Sequence, residues 1–191
     1  MILEGIVTTL SADGTVNIAP MGPRVDEEIE RFILRPFRTS TTYQNLKWSG
    51  QGVLHVTDDV ELLARAAIGR LEPVPELVPA EGVEGFRLAD TCRWYSFRVQ
   101  ELDDRQERTT ILAEQVASGT VREFFGFNRG KHAVVEAAIL ATRIHLLPAD
   151  EIAAEFARLK VLVDKTGGPQ EERAFQILSD YVACGAARGG P

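Results

Sequence analysis

The stretch Leu34-Arg35-Pro36-Phe37-Arg38-Thr39-Ser40-Thr41-Thr42-Tyr43-Gln44-Asn45-Leu46 sets two arginines and four consecutive hydroxyl residues at the foot of a short helix. Thr41 and Gln44 have the Thr-x-x-Gln spacing of a capping box, which predicts Thr41 as the N-cap. The first backbone N–H groups of a helix lack partners within it, and its N-terminus carries partial positive charge. Such an end is suited to an anion. Thr39, Ser40 and Thr42 add hydroxyl donors, and Arg35 and Arg38 add guanidinium groups that can grip phosphate oxygens in pairs. A phosphate monoester matches this set. The glycine-rich turn that accompanies an extended dinucleotide, G-x-G-x-x-G, is absent from the sequence. A purely structural reading stands beside this one: Ser and Thr cap helices generally, and arginines at strand ends are often simply solvated.

Working outward, Gly5 to Leu10 is rich in β-branched residues, Asp13-Gly14 marks a turn, and Thr15 to Ala19 returns as the second strand of a hairpin. Arg31 to Leu34 reads as a short strand stopped by Pro36, and Thr41 to Trp48 as a helix ended near Gly50. Val53 to Thr57 is a strand, with a helix from about Val60 to Ile68. A loop carrying Pro73, Pro75 and Pro79 follows. Trp94 to Leu102 alternates as a strand, Asp103-Asp104 marks an exposed turn, and Thr109 to Val116 can pair back. Beyond Asn128 the pattern becomes helical: Lys131 to Arg143, then a helix opened by Pro148 and Asp150 with Ile152, Phe156, Leu159 and Val163 on one stripe. Gly167-Gly168-Pro169 breaks it, and Gln170 to Val182 forms the next helix, with Ala174, Ile177, Leu178 and Tyr181 on its apolar side. The expected plan is a mainly β body over residues 1–145 and a helical hairpin over 146–191, packed on the barrel or at a dimer contact.

Composition narrows the class. Over 191 residues, apolar residues make up 45% and charged residues 26%, with a formal net charge of −7. That balance is globular and argues against a nucleic-acid binder, which needs a basic surface. Cys92 and Cys184 are far apart and fit neither a disulfide scaffold nor a metal site, which suits a reducing compartment. The start of the chain lacks the form of a signal peptide, and the longest apolar run, around Ala133 to Ala141, is interrupted by Glu136. A cytoplasmic protein without membrane or metal attachment is expected.

Other residues carry weaker signals. His132, Glu136 and Arg143 share one face of an apolar helix. They read either as polar groups that reach a ligand pocket or order a dimer, or as a polar stripe on the surface. His132 and Glu136 have no third metal ligand in sight. His55, His132 and His145 form no nucleophile-and-base pattern, and G-x-S-x-G is absent. Cys92 reads as a buried structural thiol. Trp48 and Trp94 read as core or pocket wall, and Glu27, Glu28 and Glu30 as a solvated loop.

Arg35-Pro36, the Ser/Thr cluster, Thr42-Tyr43-Gln44-Asn45-Leu46 and the strand Val53-Leu54-His55-Val56-Thr57 resemble the FMN-binding segment of the flavin reductase-like split barrels. The run Phe127-Asn128-Arg129-Gly130-Lys131-His132-Ala133-Val134-Val135-Glu136-Ala137-Ala138-Ile139-Leu140-Ala141-Thr142-Arg143 resembles the signature of the family catalogued as domain of unknown function 447. That family is found mainly in methanogenic archaea and in bacteria with methanopterin-linked one-carbon metabolism. The resemblance implies an FMN-binding split β-barrel with a C-terminal helical hairpin, dimerising with FMN near the subunit interface. It implies Arg35, Thr39, Ser40, Thr41, Thr42 and Asn45 at the phosphate and ribityl chain, and Ala19-Pro20-Met21, after the second strand, against the flavin ring. His55 stands where many split barrels have Asn, so any contact it makes with flavin differs. The implied function is a flavin-dependent oxidoreductase acting on an unidentified small molecule. The alternatives are a non-catalytic flavin carrier or sensor, and a flavin-less assembly or binding protein of the same fold.

Overall fold

The computed structural model describes residues 1–188; the last three residues of the expected 146–191 segment lie outside the described residues. In chain order the elements are β1 (Gly5–Leu10), β2 (Val16–Met21), β3 (Arg24–Val25), β4 (Arg31–Leu34), α1 (Thr41–Ser49), β5 (Gln51–Val56) and α2 (Val60–Ala67). There follow β6 (Leu77–Pro79), β7 (Phe86–Leu88), β8 (Arg93–Asp103), β9 (Thr110–Thr120), α3 (Arg129–Ala141), α4 (Ala149–Thr166) and α5 (Pro169–Arg188).

The strands make a seven-stranded antiparallel sheet in the order β2-β1-β5-β8-β9-β4-β3, and β6 and β7 make a separate two-stranded piece. The β1–β2 hairpin turns where Asp13-Gly14 predicts it, with Gly14 at φ 85°, the left-handed region that glycine enters without strain. The long β8–β9 pair shifts register between Ser96 and Phe97 and between Val99 and Glu101. Bulges of this kind bend and coil a ladder, and the sheet curls into a half-barrel. Its inner face is lined by Val7, Phe32, Leu34, Leu54, Val56, Phe97, Ile111 and Ala113, and α1 closes on it with Tyr43 and Leu46.

The chain forms two compact units. One comprises residues 1–57 and 75–124, which hold the sheet and α1; the other comprises 58–74 and 125–191. The second unit has its own core. Ala133, Val134, Ala137, Ala138 and Ala141 of α3 pack with Ile152, Phe156, Leu159 and Val163 of α4 and with Ala174, Phe175 and Leu178 of α5. The α4 stripe is buried as its spacing predicts. Val60 and Ala64 of α2 share this core, so α2 and α3, which the sequence reading leaves with the barrel, group with the terminal helices. His132, Glu136 and Arg143 are all exposed in the single chain. The buried charge of α3 is one residue away: Lys131 pairs with Glu171 at 2.8 Å.

Among the described residues no helix is long and apolar enough to cross a membrane, and no group of His, Cys, Asp and Glu is placed to hold a metal ion.

Candidate functional site

The loop from Arg35 to Ser40 joins β4 to α1, and Ser40, not Thr41, caps the helix. Ser40 has the extended backbone of a cap, φ −79° and ψ 146°, and its Oγ accepts the Tyr43 N–H at 3.2 Å. The same hydroxyl donates to Phe37 O at 2.8 Å. Thr41 is therefore the first helical residue, and Gln44 does not close a box with it: its Nε2 donates back to Arg38 O at 2.9 Å. The physical reason is register: with two hydroxyl residues adjacent, the one with extended backbone reaches the third helical N–H.

Every carbonyl of the loop from Arg35 to Arg38 is occupied. Arg35 O accepts from Arg108 Nε at 3.2 Å. Pro36 O accepts from the Thr109 N–H at 3.0 Å and the Thr109 hydroxyl at 2.8 Å. Phe37 O accepts from the Ser40 N–H and hydroxyl, and Arg38 O from Gln44. A loop with its acceptors committed to the protein offers an approaching anion few lone pairs to repel it. The helix ladder does not use the N–H groups of Thr41 and Thr42. Arg35 is half-buried, and Arg38, Thr39 and Thr41 are exposed.

Thr42 and Asn45 face inward, onto β1 and β2, where they join two residues that sequence reading missed. Asn45 Nδ2 donates to Thr9 Oγ1 at 3.0 Å; Asn17 Nδ2 reaches Thr9 Oγ1 at 3.3 Å and Thr42 Oγ1 at 3.1 Å. Thr9, Thr42 and Asn45 are buried. This polar knot ties the first turn of α1 to the sheet. Thr9 and Asn17 could have been found only by pairing β1 with β2, where they stand opposite each other.

Ala19, Pro20 and Met21 do not follow β2 as expected; they are its last three residues, opposite Val7, Ile6 and Gly5. Pro20 is tolerated because β2 is an edge strand. Strand alternation puts Ala19 and Met21 on the Asn17 side, toward α1, and turns Pro20 to the opposite face. His55 is likewise corrected. It alternates with Leu54 and Val56 of the inner core, so it lies on the sheet face away from α1. It is fully buried, with Nδ1 3.1 Å from Ile6 O and Nε2 accepting the Leu88 N–H at 3.1 Å. Neither ring nitrogen remains for a ligand.

The tip of the β8–β9 hairpin lies over the loop. Phe37 and Arg108 form an antiparallel bridge, and the Arg38 N–H donates to Glu107 O at 2.8 Å. The Arg108 guanidinium sits over the Phe37 ring, 5.6 Å from its centre. Asp104, read from sequence as part of an exposed turn, accepts from the buried Tyr43 hydroxyl and from Lys47 Nζ, each at 2.7 Å. Hydrogen bonds from Lys47 and Tyr43 hold its carboxyl below the usual carboxylate range. Trp48 is exposed on α1, outside the core, whereas Trp94 is buried. A cavity of about 550 Å³ lies at the far end of α1, lined by Ser49, Gly50, Gln51, Gly82, Glu84 and Arg98, away from the loop.

Known proteins share this fold. An FMN-bound protein from Methanosarcina mazei, matched by the DUF447 family model, superposes with a TM-score of 0.81 at 25% identity over 94% of each chain. The 2-nitrobenzoate 2-nitroreductase of Pseudomonas fluorescens gives 0.54 at 19% identity over 62% of this chain and 64% of its own. The flavoredoxin of Desulfovibrio vulgaris gives 0.54 at 11% over 63% and 70%. These last two share the fold, the split barrel of flavin reductase-like proteins. The model of the DUF447 N-terminal domain, described as a protein of unknown function, matches residues 3–122, and a second DUF447 model matches residues 128–180. Those two matches together span the half-barrel, the capped loop and most of the helical unit, and this chain belongs to the DUF447 family.

Proposed function

We propose that this chain binds FMN, with the phosphate held at the loop from Arg35 to Ser40 and the start of α1. The observation that carries the reading is the FMN-bound family member that superposes over 94% of both chains. The local chemistry fits a phosphate monoester: Arg35 and Thr39 on a loop with committed carbonyls, and the first N–H groups of α1 beyond the Ser40 cap. Thr41 adds an exposed hydroxyl. Thr42 and Asn45 hold the helix on the sheet and present its inner edge to the ribityl chain. Ala19 and Met21 line the β2 edge on the same side. His55 takes no part.

FMN, when bound, supplies the redox chemistry; the protein contributes position, orientation and electrostatic tuning. We further propose a flavin-dependent oxidoreductase acting on a small molecule, working as a homodimer in the cytoplasm, with pterins among the substrates to screen. The family resemblance supports that extension.

The test is direct. Purified protein should carry a flavin spectrum or quench the fluorescence of added FMN, and Arg35→Ala should weaken binding by about tenfold. A colourless protein that leaves FMN fluorescence unchanged overturns the reading, and unchanged affinity in Arg35→Ala removes that residue from the site. Reduction of the bound flavin by NADH or NADPH, followed by oxidation with a substrate panel, separates an enzyme from a flavin carrier.

A further inference from the structure

We propose that the tip of the β8–β9 hairpin, residues 104–109, is a clasp on the FMN loop, with Asp104 and Thr109 as positioning residues that set the preference for the phosphorylated flavin. The inference rests on the reading of that loop as the phosphate site.

The clasp has two arms, and both come from residues about sixty to seventy positions later in the chain. One arm holds the loop. Thr109, fully buried, spends its N–H and its hydroxyl on the single carbonyl of Pro36, at 3.0 and 2.8 Å. Glu107 O accepts the Arg38 N–H, and Arg108 Nε donates to Arg35 O. The other arm holds the helix. Asp104 receives the Tyr43 hydroxyl and Lys47 Nζ, which lie one turn apart on α1. Lys47 Nζ also donates to the Tyr43 hydroxyl at 3.0 Å, which closes a three-membered network. Hydrogen bonds to a charged carboxylate are the stronger kind.

The consequence is specific to the loop. Among the described residues, the Arg35 and Pro36 carbonyls take their bonds from the tip, and those of Phe37 and Arg38 from Ser40 and Gln44. With the tip released, Arg35 and Pro36 lose the partners of their carbonyls, and these acceptors can turn toward a phosphate. The flavin ring and ribityl chain have no stake in that change, because a non-phosphorylated flavin does not reach for the loop's donors. Asp104 therefore acts on one part of the ligand through the helix it holds, whose first turn follows directly on the loop held by Thr109 and Arg108.

FMN and riboflavin, which differ by the phosphate, are the two probes. The full-length protein and the variants Asp104→Ala, Asp104→Glu and Tyr43→Phe are titrated with each, after circular dichroism has shown each variant folded. Tyr43→Phe keeps the buried ring and removes only the hydroxyl. Asp104→Ala is expected to lower FMN affinity by about tenfold and riboflavin affinity by less than about twofold. Tyr43→Phe should shift the ratio in the same direction by a smaller factor, and Asp104→Glu should restore part of it. An unchanged FMN-to-riboflavin ratio in folded Asp104→Ala and Tyr43→Phe, or equal losses for both ligands, overturns the clasp. Wild-type protein that binds FMN no better than riboflavin overturns the phosphate reading itself, and the clasp with it.

Discussion

His55 commits both of its ring nitrogens to backbone. Ile6 O can only accept, so Nδ1 carries the hydrogen, and Nε2 accepts from Leu88. Protonation would put a second N–H against the Leu88 N–H inside a dry core. Burial accordingly pushes the imidazole down to about 4, against the pull of the Ile6 carbonyl and with some help from the Arg87 charge. The sign follows from linkage. The unfolded chain takes up the proton at the ordinary value of 6.5, and the folded chain resists until about 4. Stability contributed by neutral His55 is complete above pH 6.5 and falls as pH drops toward 4, by roughly 3 kcal/mol in all. Denaturant titrations across that window should show the decline in the wild type and a shallower one in His55→Gln; equal slopes would refute it. The sequence shows that His55 lies in a strand but not on which face. Val53, Leu54 and Val56 are apolar on both faces of β5, so alternation gives no inside or outside until β1 and β8 are paired with it.

At the scale of the element, α1 shows where pattern reading succeeds and where it stops. Its extent was legible: a run without Gly or Pro after a hydroxyl cluster, closed by Gly50, which adopts φ 66° and returns its N–H to Leu46 O at 3.0 Å. The boundaries of β1 and β4 were legible for the same reason, since turn residues and Pro36 delimit them. The cap itself was ambiguous by one residue, because Ser40 and Thr41 are both good caps and only backbone conformation separates them. Ser40→Ala should lose about 1 kcal/mol of stability, together with the tie to Phe37 O. Thr41→Ala should lose much less, since its side chain is exposed at the first helical position. Thermal melts of the two variants decide the matter, and a larger loss in Thr41→Ala would restore the other cap. The β6–β7 pair was invisible because its strands are three residues each, the first of them set among prolines that read as loop. The tip contacts of Asp104, Arg108 and Thr109 were also invisible. A turn motif says where a hairpin ends, not what its end touches.

At the scale of the molecule, the two compact units place their polar investment differently. The barrel unit buries neutral groups such as Thr9, Thr42, Asn45 and His55, whereas the helical unit buries an ion pair. Lys131 Nζ meets Glu171 at 2.8 Å and donates to Asp58 O at 2.8 Å, while Glu171 accepts the Gly168 N–H at 2.7 Å at the start of α5. Burial alone would raise the Glu171 carboxyl, but the bonds from Lys131 and Gly168 outweigh it and lower the value below 4.5. A carboxyl depressed in the folded state contributes stability above pH 4.5 and loses it as pH falls through the folded value. Removing one member of a buried pair strands the other, at a cost of about 3 kcal/mol, so Glu171→Gln should destabilise the helical unit near neutral pH and flatten its acid transition. Both tryptophans, Trp48 and Trp94, lie in the barrel unit, so their fluorescence reads that unit while far-UV circular dichroism is weighted toward the helices. Glu171→Gln is therefore expected to lower the denaturant midpoint seen by dichroism, with tryptophan fluorescence as the internal reference. A dichroism midpoint equal to that of the wild type would mean that the pair merely breaks even against its desolvation.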